Sequence, residues 1–130
     1  MSKTHGHFNW NELVTDNPAA ARAFYETTLG WTFEAEQGDA MTYWVAHADG
    51  VPVGGLMGFT GERPADMPSH WVGYIAVDDV DARVAAARSA GGLVLRAPFD
   101  VPFVGRVALL KDPTGGYIGW VTPADPPAQT

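Results

Sequence analysis

ELVTDNPAAARAFYETTLGWTF, residues 12–33, decides the fold, because YIAVDDVDARVAAARSAGGLVL, residues 74–95, writes the same order a second time. Each stretch runs strand, Asp, helix, Gly, strand. Asp78 stands in the second copy where Asp16 stands in the first, and Gly91 answers Gly30 within one position of the same offset. A repeat of about 60 residues implies two similar modules related by a pseudo-two-fold axis.

Working outward, HFNWNELV (7–14) alternates aromatic or apolar residues with polar ones and reads as a strand. Asn17 followed by Pro18 is an N-cap with proline at the first helical position. The helix runs to Leu29, and Gly30 supplies a left-handed stop. Ala21, Phe24 and Thr28 form its packing stripe, with Ala20 and Tyr25 beside it. Trp31–Glu36 and Met41–His47, joined by Gly38-Asp39, and then residues 51–59 give three more strands. GERPADMPS (61–69) separates the copies. The second copy opens with HWVGYIAV (70–77), and Asp78 is expected to cap a helix striped by Val80, Val84 and Ala87 that ends at Gly91-Gly92. Leu93–Arg96, Gly105–Lys111 and Tyr117–Val121 complete it, with a turn at Asp112–Gly116.

Each module is therefore βαβββ, and a four-stranded sheet with one helix covers only one of its faces. The fold expected is α+β: two modules, 7–59 and 70–122, forming one domain over 7–122 whose cupped eight-stranded mixed sheet encloses a cavity. Residues 1–6 and 123–130 are expected to be flexible termini. Loops 34–41 and 96–105 would shape the cavity.

Eight basic against fifteen acidic residues give a net charge of −7, which leaves no basic footprint for nucleic acid. The acidity keeps the protein soluble and would also suit a cationic ligand. With no cysteine there is no disulfide framework and no thiolate metal site. No apolar run is long enough to span a bilayer, so no membrane role and a cytoplasmic location are expected.

The Asp16…Phe24-Tyr25…Leu29-Gly30-Trp31 block, the Ile75-Ala76-Val77-Asp78 strand end with Gly91-Gly92 after its helix, and Lys111-Asp112-Pro113-Thr114-Gly115-Gly116 together resemble the vicinal oxygen chelate superfamily. That group holds glyoxalase I, extradiol dioxygenases, fosfomycin-resistance enzymes and bleomycin-binding proteins. The resemblance covers about residues 8–122 and implies paired βαβββ modules and, usually, a homodimer. It fixes no activity, because sites vary while this fold persists. Metal-dependent members hold a divalent ion with His and Glu from the first, fourth, fifth and eighth strands. On the first strand, counting from Asp16 gives Asn9 and counting from Phe24-Tyr25 gives Trp10. The fourth strand, 51–59, has no Asp, Glu, His or Asn; the fifth gives Val72; the eighth gives Gly119. No metal is therefore expected at the family position, and no cofactor. His7 and His70 lie one strand repeat outward on the same face, which leaves open a displaced site, though strands four and eight offer it no carboxylate. His5 and His47 read as solvent-facing.

For chemistry without a metal, strand one offers Glu12. In the Phe24-anchored register it shares a face with Phe8, Trp10 and Val14. A lone carboxylate among aromatics is a possible general base, or an anchor for a cationic or hydroxylated ligand. Equally, Glu12 serves as internal glue to a backbone amide or to an arginine such as Arg106, and a one-residue slip would turn it to the helix face. On strand five, His70, Val72 and Tyr74 share the cup face, Tyr74 as a hydrogen-bond donor to ligand or simply as core. Glycines 54, 55, 58 and 119 would leave room in the cavity floor for a larger guest. Five tryptophans favour a flat apolar or aromatic ligand. The site set is Glu12 as the candidate catalytic residue, with Trp10, His70, Val72, Tyr74 and Gly119 lining the ligand. The expected function is metal-independent small-molecule binding. The alternative is an enzyme of the superfamily, a lyase, isomerase, cyclase or dioxygenase, either metal-free through Glu12 or with displaced metal ligands.

Overall fold

Asn17 opens the first helix with its side-chain oxygen, which accepts a hydrogen bond from the Ala20 backbone N–H at 3.0 Å. Helix α1 spans Pro18–Leu29 and stops at Gly30, whose φ of 72° is the left-handed conformation that glycine adopts without a Cβ penalty. The computed structural model describes residues 5–37, 42–59, 67–101 and 104–124. Around α1 lie β1 (Phe8–Thr15), β2 (Thr32–Gln37), β3 (Thr42–Ala48) and β4 (Val51–Gly58). The second copy follows as β5 (His70–Ala76), α2 (Val80–Ser89), β6 (Leu93–Val101), β7 (Gly105–Lys111) and β8 (Tyr117–Pro123). The two βαβββ modules of the α+β class are thus present. The Gly38-Asp39 junction, most of the 61–69 separator and residues 125–130 fall outside the described residues.

The chain divides into two compact units, Trp10–Val72 and the residues on either side of it. In the first unit the strand order is β2-β3-β4-β1, with β1 parallel to β4 and the other pairs antiparallel. In the second it is β5-β8-β7-β6, with β5 parallel to β8 and the rest antiparallel. One ladder repeats the other, as the sequence repeat requires.

The two helices bury their units differently. Val80 and Val84 of α2 are each 1% exposed and pack with Val77, Ala108 and Leu110 into a closed apolar cluster. Ala87 packs against that cluster, completing the expected stripe. Helix α1 has no fully buried residue. Phe24 is 58% exposed, and the Thr28 hydroxyl donates back to the Phe24 carbonyl oxygen instead of packing. The half-buried positions are Pro18, Ala21, Arg22 and Tyr25, the spacing of a helical face. Arg22 lies on that face because its guanidinium sits 3.8 Å from the centre of the Trp44 ring, a contact that hydrophobic patterning cannot register. Tyr25 stacks on Trp31 at 5.2 Å and meets Trp71 edge-on at 5.7 Å.

Two further expectations are corrected. The cap of α2 is Asp79, which accepts from the Ala82 N–H at 3.3 Å. Asp78 instead takes both Arg83 nitrogens at 2.9 Å and the Asp79 N–H at 2.7 Å. The 96–105 loop is largely strand, since β6 reaches Val101 by absorbing register shifts between Val94, Arg96 and Phe99. The Asp112–Gly116 turn forms as read: Asp112 Oδ1 accepts from the Thr114 N–H at 2.8 Å, its hydroxyl at 2.6 Å and the Gly116 N–H at 3.0 Å. His5 and Gly6 are tied to the chain, Gly6 N–H donating to the Ala76 carbonyl at 2.7 Å and Asp78 N–H to His5 Nδ1 at 2.9 Å.

No helix among the described residues is long and apolar enough to cross a membrane.

The cap assignment is checked by chemical denaturation: Asp79→Ala lowers stability by about 1 kcal/mol. The Arg83 guanidinium holds the Asp78 carboxyl down at about 2, so that pair stabilises the fold at neutral pH and is lost as pH falls toward 2. Asp78→Asn therefore flattens the acid limb of the stability curve.

Candidate functional site

Alternation along the strands assigns the faces of the first unit. Trp44 carries Arg22 of α1 on its ring, so the side of Trp44 is the helix side. Trp44 pairs with Leu56 and Leu56 with Leu13, so those residues share it. Tyr43, Gly55 and Glu12, each one residue removed, lie on the opposite face, with Glu12 and Gly55 as direct partners in the parallel ladder. Strand one therefore adopts the register in which Glu12 points away from α1, together with Trp10.

Glu12 is 9% exposed, and it is hydrogen-bonded by Tyr43, a residue outside the sequence-based candidates. The Tyr43 hydroxyl bonds to Glu12 and accepts the Trp10 indole N–H at 2.8 Å. Burial pushes the Tyr43 phenol far above its ordinary range, and the Glu12 charge pushes it further. Tyr43 is accordingly a neutral hydroxyl at any working pH. The arrangement is Trp10 N–H to Tyr43 O–H to the Glu12 carboxylate, on the face of the strands that the helix does not cover.

Gly55 makes this reach possible. A Cβ built there would overlap the Tyr43 hydroxyl and ring outright, so the phenol occupies the place of the missing side chain. The second unit uses the same device with different strands. Tyr74, the repeat counterpart of Glu12, pairs directly with Gly119, and a Cβ on Gly119 would run into the Tyr74 ring. Gly55 and Gly119 were expected to leave room for a guest. Their space is taken by the two tyrosines. A glycine inside an apolar strand is the one sequence signal that could have pointed to Tyr43, by asking which nearby side chain fills the notch.

The remaining candidates separate. Val72 is buried and apolar. His70 Nδ1 donates to the Pro68 carbonyl at 2.8 Å, and its ring lies 6.1 Å from Phe59. His47 is not solvent-facing: its side chain is 15% exposed, with Nε2 3.8 Å from Glu34 and Nδ1 buried without a partner among the described residues. Arg106 is not the partner of Glu12; it forks Asp81 at 2.7 and 3.2 Å and reaches Asp100 at 3.2 Å.

The residues at the four family metal positions do not fit a divalent ion. Trp10 uses its only polar hydrogen on Tyr43, Val72 is a hydrocarbon, Gly119 has no side chain, and β4 carries no ionisable group. Among the described residues no three His, Asp or Glu side chains group so as to hold a metal, His7 and His70 included.

A model of the Glyoxalase/Bleomycin resistance protein/Dioxygenase superfamily matches residues 6–118. CFP32 of Mycobacterium tuberculosis, whose name places it provisionally among the glyoxylases, is 45% identical over 92% of this chain and 45% of its own length. DnrV of Streptomyces peucetius, named an anthracycline biosynthesis protein, is 44% identical over 85% of this chain and 39% of its own. This chain thus spans under half the length of these curated relatives. The crystal structure of methylmalonyl-CoA epimerase from Mycobacterium tuberculosis superposes with a TM-score of 0.65 at 16% identity, covering 96% of this chain and 93% of that one, a likeness of fold.

The notch is open to a direct stability test. Gly55→Ala destabilises the protein by about 1–3 kcal/mol through overpacking. Most of that loss disappears when the same change is made in a Tyr43→Ala background, as read by paired urea melts.

Proposed function

This chain belongs to the Glyoxalase/Bleomycin resistance protein/Dioxygenase superfamily, and from that premise we propose that it binds a flat aromatic or otherwise apolar small molecule, with Glu12 as polar anchor and without a divalent ion. The observation that carries this reading is the buried Glu12 carboxylate, held by Tyr43 beside the Trp10 indole on the face that α1 leaves uncovered. A carboxylate removed from water is costly unless it is bonded or used.

Charge narrows the ligand. Among the described residues of Trp10–Val72, Arg22 is the one Lys or Arg, and it is spent on Trp44 on the helix side. Glu12 therefore favours a ligand that presents a hydroxyl or a protonated amine and disfavours an anion. The name of DnrV, an anthracycline biosynthesis protein, supports a fused-ring aromatic guest of that kind. The same reading gives a homodimer acting in the cytoplasm, with partners in neither nucleic acid nor membrane.

A second reading is enzymatic. A carboxylate held rigidly by a neutral tyrosine can take a proton from an acidic C–H or O–H of the bound molecule, becoming the carboxylic acid, and return it elsewhere on the ligand. Turnover that Glu12→Gln abolishes while binding persists would distinguish this from binding alone.

The reading is tested by thermal shift and fluorescence titration with daunorubicin and with proflavine, two flat cationic ring systems. The expected result is a rise in melting temperature of several degrees at saturating probe. Glu12→Gln should weaken binding about 10-fold or more, the loss of one charge-assisted contact. Absence of any shift, or binding indifferent to Glu12→Gln, overturns the anchor. Stoichiometric uptake of Ni, Zn, Mn or Fe after chelation overturns the metal-free part.

A further inference from the structure

We infer that Tyr43 is a positioning residue for Glu12, fixing the direction and the ionised state of its carboxylate, and that Gly55 is the notch in β4 that this role requires. The inference deepens the reading of Glu12 as the anchor and rests on it for its functional meaning, though its physical content can be tested without any ligand.

Three observations carry it. First, the contact bridges a strand. Tyr43 lies on β3 and Glu12 on β1, and β4 runs between them in the order β3-β4-β1. Two side chains on strands that are next-nearest neighbours are about 9–10 Å apart at their backbones. A phenol can cover that distance only by lying flat across the intervening strand. At Gly55 it does so, since the hydroxyl lies where a Cβ would be. Any other residue at 55 would lift the ring away from Glu12. Second, the hydroxyl is secured from the far side by the Trp10 N–H at 2.8 Å, so its position is set by two partners on β1. Third, Tyr43 is half-buried and its phenol is held neutral, which leaves the hydroxyl hydrogen available to the carboxylate.

β4 contributes no titratable side chain, and β1 contributes the Trp10 indole, which does not titrate. β3 contributes Tyr43 itself and, farther along, His47, whose Nε2 faces Glu34 of β2. A hydrogen bond from a neutral donor favours the charged form of a carboxylate, so its removal favours the protonated form. If Tyr43 only filled space, phenylalanine would fill it as well.

The experiment is a carbon-13 titration of the glutamate side chains in the full chain between pH 3 and 8, with the Glu12 signal assigned by its absence in Glu12→Gln. In Tyr43→Phe the Glu12 midpoint is expected to move upward by about one pH unit, the size of one hydrogen bond to a charged group. Gly55→Ala, which keeps the hydroxyl but lifts the ring, is the second variant and should move the midpoint in the same direction; it serves alone if Tyr43→Phe does not fold. A midpoint unchanged in the folded variant overturns the inference. Proflavine titration of Glu12→Gln separates the two proposals. If Tyr43→Phe moves the Glu12 midpoint while Glu12→Gln binds proflavine like the wild type, Tyr43 positions a carboxylate that is not the anchor. If Glu12→Gln loses proflavine while the Glu12 midpoint stays fixed in Tyr43→Phe, the anchor stands and the positioning role falls.

Discussion

The absence of a side chain at Gly55 is the constraint on which the candidate site depends. Parallel pairing sets Gly55 directly beside Glu12, and the Tyr43 phenol lies in the space thereby left open. Without that notch, the Glu12 carboxylate would lose the phenol as donor, at a cost of about 1–3 kcal/mol. The repeat explains why such a notch exists twice. In the second unit Tyr74 occupies the position of Glu12 and lies over Gly119 itself, so no carboxylate needs a donor there. Duplication supplied the backbone plan, and divergence at one repeat position separated a polar site from a packed one.

Much of the fold was legible because the signals that define it are local. The internal repeat, the Asn17-Pro18 helix start, the Gly30 stop and the Asp112–Gly116 turn each depend on a few adjacent residues. The one cap misread yields to the repeat itself: with Asp16 laid on Asp78, the capping Asn17 falls on Asp79. What was not legible depends on residues distant in sequence. Nothing near Arg22 announces that Trp44 will offer it a ring, so the packing face of α1 was placed around Phe24. Tyr43 carries no local signal, because its significance comes from Glu12 on one strand and from a glycine on another. A glycine in a strand suggests empty space, although packed interiors leave little of it.

Membership of the superfamily settles the architecture and leaves the chemistry to the site. The positions at which metal-dependent members carry His and Glu are here an indole, an isopropyl group, a glycine and a strand without ionisable side chains. In their place the first unit carries one carboxylate with a tyrosine and a tryptophan attached. Such a set offers ring faces and one strong acceptor in place of metal-binding side chains.

Trp10 has one more consequence. An indole nitrogen can only give a hydrogen, never receive one. Because it points at the Tyr43 oxygen, that oxygen is occupied as an acceptor, and the phenolic hydrogen has a single direction left in which to be useful. The polarity of the whole chain of three groups is thereby written into side-chain identity, with no need to see a hydrogen atom. On its Tyr43 side the Glu12 carboxylate therefore meets a hydrogen whose direction is already fixed.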